Sequence, residues 1–185
     1  MKPEILCHPN VPKPLHGMNP RTILGQEWWD KTRFEAQHRT GYKCVACGVS
    51  KNEAGWLEGH EYWNIDYKTG ACEVISIEPL CHKCHNFIHS GRLSMVMGKE
   101  KSQEEVIDIL EHGFKILSEN KLKCFPFTLK FSQRIGANTF GVEAYKQPKI
   151  EAKWEDYHLI LEGKKYESSF KTIEDWRTYY SGESL

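Results

Sequence analysis

The sequence lacks a surplus of charge of either sign and lacks any long apolar run. Among 185 residues, 25 Lys and Arg balance 25 Asp and Glu, so the formal net charge is zero. This balance argues against a protein that coats nucleic acid through bulk charge, because that mode of binding needs a strongly basic surface. No stretch approaches the roughly 18 consecutive apolar residues of a membrane span, so we expect no membrane partner.

The first residues also have little apolar character. Prolines and polar groups stand where a signal peptide has its apolar segment, and we therefore expect a cytoplasmic protein. Five prolines within residues 1–20 predict an extended arm that crosses the surface. Helix-forming residues then predict a helix over 24–40, and Gly41 is well placed to end it.

The chain has an odd number of cysteines, which does not suit a complete disulfide framework. Of the seven, four form two C-x-x-C pairs, Cys44 with Cys47 and Cys81 with Cys84, separated by 33 residues (48 to 80). Two such pairs bring four thiolates around a tetrahedral ion, so we predict a structural zinc site. The rival interpretation, a thioredoxin-like redox pair, leaves the second pair unexplained.

Between and after the cysteine pairs the sequence predicts a hairpin and a short helix. Alternating and aromatic residues indicate two strands within 56–77 around a turn at 67–70, and the segment 80–90 suits a short helix that Gly91 ends. His85 and His89 are four residues apart, so on a helix they share a face. A hairpin packed on that helix can bring His60 to the same point.

The remaining residues predict a further α+β segment. Ser102 and Glu105 form a capping box at the start of an amphipathic core helix. Strands are predicted at 125–131 and 140–145, followed by a hairpin over 157–167 and a last short helix capped by Thr172 and Asp175. We therefore expect three regions: an arm and helix at 1–40, a metal-binding core at 41–100, and a helix with a small α+β unit at 101–185.

Three motifs follow one another between about residues 40 and 92: the first cysteine pair, Leu57-Glu58-Gly59-His60-Glu61, and Pro79-Leu80-Cys81-x-x-Cys84-His85-x-x-x-His89. In this combination the chain resembles the zinc-containing branch of the HNH endonucleases of bacteria and phages. The resemblance implies an α+β fold with a ββα-metal core and a zinc knuckle of four cysteines. It also implies a place in the cytoplasm of a bacterium or of the host cell of a phage.

What the resemblance implies for function is metal-dependent hydrolysis of phosphodiester bonds in DNA. Carried over by position, His60 is the general base, and His85 and His89 hold a catalytic Mg²⁺, Mn²⁺ or second Zn²⁺. The metal ligand that usually precedes the base is replaced by Gly59, and Glu61 is the candidate to take over that role. We therefore expect His60, Glu61 and His85 to be the catalytic residues.

A second hypothesis is that the same fold binds nucleic acid or a protein partner without cutting. It is favoured by Gly59, by Ser76 in place of the usual central Asn, and by the zero net charge. The N-terminal third is the most basic part, with eight basic and five acidic side chains in residues 1–55. The side chains expected to contact phosphates are Arg33, Arg39, Lys43 and Arg92. A protein partner is expected to use the C-terminal region.

Overall fold

The computed structural model describes residues 1–181, which form a mixed α+β chain with seven α-helices and one four-stranded sheet. The chain divides into two compact units. Among the described residues, the first comprises 1–9, 33–60 and 78–146, and the second comprises 10–32, 61–77 and 147–181. Within the described residues, no helix is both long enough and apolar enough to cross a membrane.

The N-terminal part contains the predicted arm and helix. Two short 3-10 turns, Pro3–Cys7 and Lys13–Leu15, interrupt the arm. Helix α1 spans Pro20–Arg39, so the predicted helix is present but begins four residues earlier. Gly25 interrupts its helical conformation with a φ of 88°, and Gly41 follows its end with a φ of 62°.

The predicted hairpin is also present. After the single-turn helix α2, Lys51–Ala54, strand β1 spans Glu58–Ile65 and strand β2 spans Ala71–Leu80. The sheet order is β1-β2-β3-β4. The hairpin contributes residues 58–60 and 78–80 to the first unit and 61–77 to the second.

Two short helices follow the hairpin where one was predicted. Helix α3 spans His82–Ile88 and helix α4 spans Ser90–Val96, with His89 at the junction. The prediction that Gly91 ends the helix is wrong, because Gly91 lies within α4. The chain breaks instead at His89, whose φ of −84° and ψ of 37° depart from helical values.

Helix α5, Gln103–Glu119, packs on α3 and buries its apolar face in the first unit. Its predicted capping box is present, with the Ser102 hydroxyl accepting from the Glu105 amide and the Glu105 carboxylate accepting from the Ser102 amide. The rings of Phe87 and Phe114 meet edge to face with centroids 5.2 Å apart. This contact joins the helix that carries the second cysteine pair to the core.

The strand predicted at 125–131 is wrong, because helix α6 spans Pro126–Ile135. Aromatic residues suggested a strand, whereas Pro126 occupies the first helical turn, where its missing amide costs nothing. Thr128, Phe131 and Ser132 are buried at helical spacing, and Gly136 caps the end in a left-handed conformation.

The strand predicted at 140–145 is also wrong. Phe140 has a positive φ of 50° and Gly141 a φ of 73°, so the segment begins with a turn. Its extended pairing is limited to one isolated bridge between Cys124 and Ala144. The short apolar run is therefore a loop, and the β-propensity of its residues does not decide its structure.

The second unit contains the last two strands and the last helix. Strand β3, His158–Leu161, pairs in parallel with β2 and antiparallel with β4, Lys164–Glu167. Helix α7 spans Ile173–Ser181 and begins with the predicted Thr172 and Asp175 cap. The core of this unit consists of Leu15, Trp63, Cys72, Tyr157, Leu159 and Leu161.

Candidate metal centres

The two cysteine pairs meet in the first unit. The Sγ atoms of Cys44, Cys47, Cys81 and Cys84 all lie within 4.8 Å of one another, so the four residues can hold a metal such as zinc. A tight turn carries the first pair, since the Gly48 amide donates to the Cys44 carbonyl at 2.9 Å and Gly48 has a φ of 77°. Cys81 precedes the first residue of α3, and Cys84 lies in its first turn.

A backbone contact draws the two pairs together. The Val45 amide, between the first two cysteines, donates to the carbonyl of Pro79 at 2.9 Å, two residues before Cys81. Hydrogen bonding among the thiols, that from Cys47 above all, lowers the pKa of Cys44 to about 7. The hydrogen bond from Cys44, followed by that from Cys47, lowers the pKa of Cys81 well below its ordinary value. The same hydrogen bonding, that with Cys44 above all, raises the pKa of Cys47 and of Cys84. The thiolate, which is the form that binds metal, is therefore favoured at Cys44 and Cys81.

His112 on α5 contacts this cluster and was not identified from the sequence. Its Nε2 lies 3.4 Å from the Sγ of Cys84. With Cys84 as a thiolate that holds a metal, an N–H on this nitrogen would donate to the sulfur and so support the ligand from outside the coordination sphere. The residue is 28 positions away from Cys84, and the sequence carries no signal that links the two.

A second group consists of three histidines, as the sequence predicted from spacing. Ring nitrogens of His60, His85 and His89 lie within 4.8 Å of one another. The ring centroids are 5.4 Å apart for His60 and His85, 5.1 Å for His60 and His89, and 4.7 Å for His85 and His89. His60 lies on strand β1, His85 lies on helix α3, and His89 follows the last residue of that helix.

The imidazole ring of His60 is buried without hydrogen bonds. Its exposed fraction is 3%, and neither ring nitrogen has a hydrogen-bond partner among the described residues. Burial above all, and then the neighbouring imidazoles of His89 and His85, lowers the pKa of His60 well below its ordinary value. Burial is also the main cause that lowers the pKa of His89 to about 4. Both rings are therefore neutral at neutral pH and retain a lone pair for a ligand.

Glu58 is a further residue of this site that the sequence did not single out. Its carboxylate accepts from Nδ1 of His85 at 2.9 Å and from Nδ1 of His82 at 3.1 Å. Burial raises the pKa of Glu58, but the hydrogen bonds from His85 and His82 outweigh it and bring the pKa to about 2. The carboxylate is therefore charged throughout the physiological range.

Glu61, expected as a metal ligand, is not a member of the three-histidine group. It directly follows His60 on β1, and successive side chains on a strand point to opposite faces. Another histidine, His8 from the N-terminal arm, is buried beside His60 instead, with ring centroids 6.0 Å apart. His8 lies in the N-terminal arm, far in sequence from the motifs, so no sequence pattern indicates this contact.

A cleft of about 270 Å³ adjoins the histidines in the first unit. Its walls include His85, His89, Arg92 and Lys101, together with the carboxylates of Glu58 and Glu100. Arg92 reaches Glu100 at 3.7 Å, and both side chains are largely exposed. An exposed ion pair of this length contributes little stability, so Arg92 can exchange this partner for another anion at small cost.

The other residues expected to contact phosphates lie apart from this cleft. Arg39 donates to the buried carboxylate of Glu78 at 2.9 Å, and Lys2 donates to the same carboxylate at 2.8 Å. Arg33 lies over the ring of Phe34, with 4.5 Å between its guanidinium carbon and the ring centroid. Lys43 is exposed next to the first cysteine pair. Of the four, Arg92 alone lines the cleft.

Comparisons of the chain with protein-family models, with curated proteins and with solved structures find no match. The two clusters and the cleft are therefore the features that bear on its function.

Proposed function

We propose that this protein is a metal-dependent HNH-type endonuclease that hydrolyses phosphodiester bonds of DNA. In this proposal the four cysteines hold a structural zinc, and His60, His85 and His89 hold a catalytic divalent ion beside the cleft. The observation that carries the proposal is the buried, unpartnered imidazole of His60, which converges with two further histidines. The arrangement of a strand histidine opposite helix histidines is the one expected of a ββα-metal core.

The burial of His60 supports an ion in the group. A buried polar atom without a hydrogen bond costs on the order of 1–3 kcal/mol, and His60 has two such nitrogens. A bound ion would give one of them a partner. The buried environment of His60 is therefore favourable for an imidazole only when an ion or another ligand is bound to it.

The donor set indicates which ion fits. Imidazole nitrogens suit zinc and other transition ions, whereas Mg²⁺ prefers carboxylate, carbonyl and water oxygens. Mn²⁺ shares the preference of Mg²⁺ for oxygen ligands, so of the ions expected from the sequence a second Zn²⁺ fits three histidines best. An ion held by His60, His85 and His89 would supply a Lewis acid for the hydrolysis of a phosphodiester.

The cleft supports a phosphate-containing substrate. Arg92 and Lys101 line it together with His85 and His89, so two cationic side chains share the cleft with two of the three histidines. Arg92 can donate two parallel hydrogen bonds to phosphate oxygens, and Lys101 can act as a point charge. These side chains bind and orient a phosphodiester rather than read a base sequence.

The position of His60 favours a role as ligand over the role of general base that the resemblance implies. A general base must reach the water that it deprotonates. His60 is almost fully buried and is not among the described residues that line the cleft, whereas His85 and His89 are. We therefore place His60 with the metal ligands.

A nicking assay tests the proposal. Supercoiled plasmid and single-stranded DNA are incubated with the zinc-loaded protein and added Mn²⁺, Zn²⁺ or Mg²⁺. We expect cleavage to require an added ion. The cleavage rate should fall on the order of 10²-fold or more in His89→Ala, because this variant lacks one of the metal ligands. The matched control is His38→Ala, which removes an exposed histidine outside both clusters.

The alternative is a zinc-organised module that binds nucleic acid or a protein partner without cutting. Arg39 is paired with Glu78, so fewer of the expected basic side chains are left to bind phosphates. For a module that does not cut, this favours a protein partner over nucleic acid. Parent protein that binds the added ion and cuts no DNA with any of the three metals would favour this alternative.

A further inference from the structure

We propose that Glu58 positions the metal ligand His85, by accepting the hydrogen bond from Nδ1 and so leaving Nε2 as the nitrogen that binds the ion. The inference rests on the metal site of the proposed function. It adds a residue that lies outside the three-histidine group and that nothing in the spacing of the motifs indicates. The contact that supports it is the 2.9 Å distance between Nδ1 of His85 and Oε2 of Glu58.

A carboxylate at this distance decides which nitrogen of His85 carries the proton. Neutral imidazole has one N–H donor and one lone pair, and an ionised carboxylate can only accept. Nδ1 therefore holds the hydrogen, and the lone pair is on Nε2. Histidines that bind metals commonly donate their other ring N–H to a carboxylate, which orients the ring and makes the ligand more basic.

The local structure explains why Glu58 is in reach. Glu58 and His60 are two residues apart on β1, so their side chains share one face of the strand. The same strand face thus supplies one member of the histidine group and the partner of another. The arrangement ties β1 to helix α3 at the site where the ion is expected.

Two further donors hold the carboxylate itself in place. His82 donates from Nδ1 to Oε1 of Glu58 at 3.1 Å, and the indole N–H of Trp56 lies 3.4 Å from the same oxygen. The other oxygen, Oε2, is left to His85. A carboxylate fixed from the opposite side can orient the imidazole more strictly than a freely rotating one.

A purely structural role would differ in its consequences. If Glu58 only joins the strand to the helix, its removal lowers the free energy of unfolding and leaves the affinity for the ion unchanged in the folded protein. If Glu58 positions His85, removal weakens ion binding even where the fold and the structural zinc persist. The two roles are therefore separated by a measurement of metal affinity.

The experiment compares Glu58→Ala, Glu58→Gln and the parent, all with the structural zinc retained. Binding of Co²⁺ to the second site is followed by its visible absorption, which reports the ligand field, and the dissociation constant is obtained by titration. Expected is a loss of affinity of about 10- to 100-fold in Glu58→Ala, the usual range for loss of such a partner. Glu58→Gln keeps an acceptor oxygen without the charge and should lie between the two.

Glu100→Gln is the matched control. Glu100 lines the same cleft and carries the same charge, but it pairs with Arg92. A general loss of negative charge from the cleft would weaken Co²⁺ binding equally in Glu100→Gln and Glu58→Gln. Positioning of His85 predicts a clear effect in Glu58→Gln and little change in Glu100→Gln.

The ring nitrogen of neutral His85 that carries the hydrogen gives a second readout, which does not depend on the stability of the protein. Long-range ¹H–¹⁵N spectra distinguish the two neutral forms of imidazole, and His85 of the parent should carry its hydrogen on Nδ1. In Glu58→Ala this preference should be lost. If Glu58→Ala folds, keeps its zinc and binds Co²⁺ as tightly as the parent, or if Glu100→Gln loses as much affinity, the proposal is overturned.

Failure of the nuclease proposal would look different. If the parent protein binds Co²⁺ through the histidines but cuts no DNA, the nuclease proposal is wrong. The Co²⁺ affinities of the Glu58 variants then still test the positioning role. Parent protein that takes up no ion beyond the structural zinc would overturn the positioning role together with the second metal site.

Discussion

Nε2 of His112 lies 3.4 Å from Sγ of Cys84, so helix α5 contacts the cysteine cluster through this side chain. The helix also provides the main packing partner of α3, which carries Cys84. The contact links the apolar face of α5 to the cysteine cluster. It therefore predicts that a residue outside the four ligands affects the retention of zinc.

Replacement of His112 by Ala should weaken the hold on zinc. Loss of a hydrogen bond to a charged group costs roughly 1.5–3 kcal/mol, and loss of such an outer partner typically lowers metal affinity about 10- to 100-fold. The rate and extent of zinc transfer to a competing chelator measure the effect. Lys115→Ala, at an exposed position of the same helix, is the control and should behave like the parent.

Each of the four clustered cysteines should be required for the fold of the first unit. We expect about one tightly held zinc per chain, bound by four thiolates. Cys84→Ser should lose the zinc and expose the central region, because Cys84 is fully buried and an unfilled site leaves the hairpin and α3 without their common anchor. Metal analysis and limited proteolysis measure both effects.

Cys7→Ser provides the comparison for this experiment. Cys7 lies outside the cluster and donates to the carbonyl of Lys123. A serine hydroxyl can make the same hydrogen bond, so zinc content should stay at the parent level. Protein purified under reducing conditions without any zinc would contradict the structural zinc itself.

Parts of the two clusters could be predicted from the sequence because the residues within each part obey short-range geometry. Two C-x-x-C pairs each direct both thiols to one side, and His85 and His89 are four residues apart. Residues that reach the same site from elsewhere could not be found in this way. Glu58 and His112 act through contacts over 27 and 28 positions respectively (58 to 85, 84 to 112), which depend on how β1 and α5 pack against α3.

The fold can be predicted where local signals agree with one another. The capping box at Ser102 marks the start of α5 correctly, since the hydrogen bonds involved are local. The aromatic residues of the segment that begins at Phe125 favour a strand, although Pro126 is equally typical of a helix start. Burial of Phe131 against the core decides between the two, and burial is a tertiary effect that propensity does not contain.

Gly113 is required by the close approach of α3 to α5. A Cβ atom at this position would overlap the ring of Phe87, which is fully buried. Gly113→Ala should therefore destabilise the protein by about 1–3 kcal/mol through overpacking, although alanine gains about 1 kcal/mol in helix propensity. Denaturation by urea, followed by circular dichroism, measures the change in the free energy of unfolding.

Gly91→Ala is the matched comparison for Gly113→Ala. Gly91 is also helical, in α4, and a Cβ there meets nothing within 4 Å. The gain in helix propensity is then unopposed, so this variant should be as stable as the parent or more stable by up to about 1 kcal/mol. Equal destabilisation of both variants would show that the close approach of α3 and α5 is not the cause.

The role of His60 can be decided by the response of its variant to metal concentration. We expect His60→Ala to lower cleavage on the order of 10²–10⁴-fold whether His60 is a ligand or a base. If it is a ligand, as its burial and its grouping with His85 and His89 favour, higher concentrations of Mn²⁺ or Zn²⁺ should partly restore the rate. A missing general base would not be restored by metal.

The same variant should also reveal the ligand role without any DNA. His60→Ala should bind Co²⁺ at the second site more weakly and with an altered visible spectrum, since one of three imidazoles is missing, while the structural zinc stays in place. His38→Ala should show the parent's spectrum. If His60→Ala binds Co²⁺ as the parent does and its cleavage stays low at every metal concentration, His60 acts as the general base despite its burial.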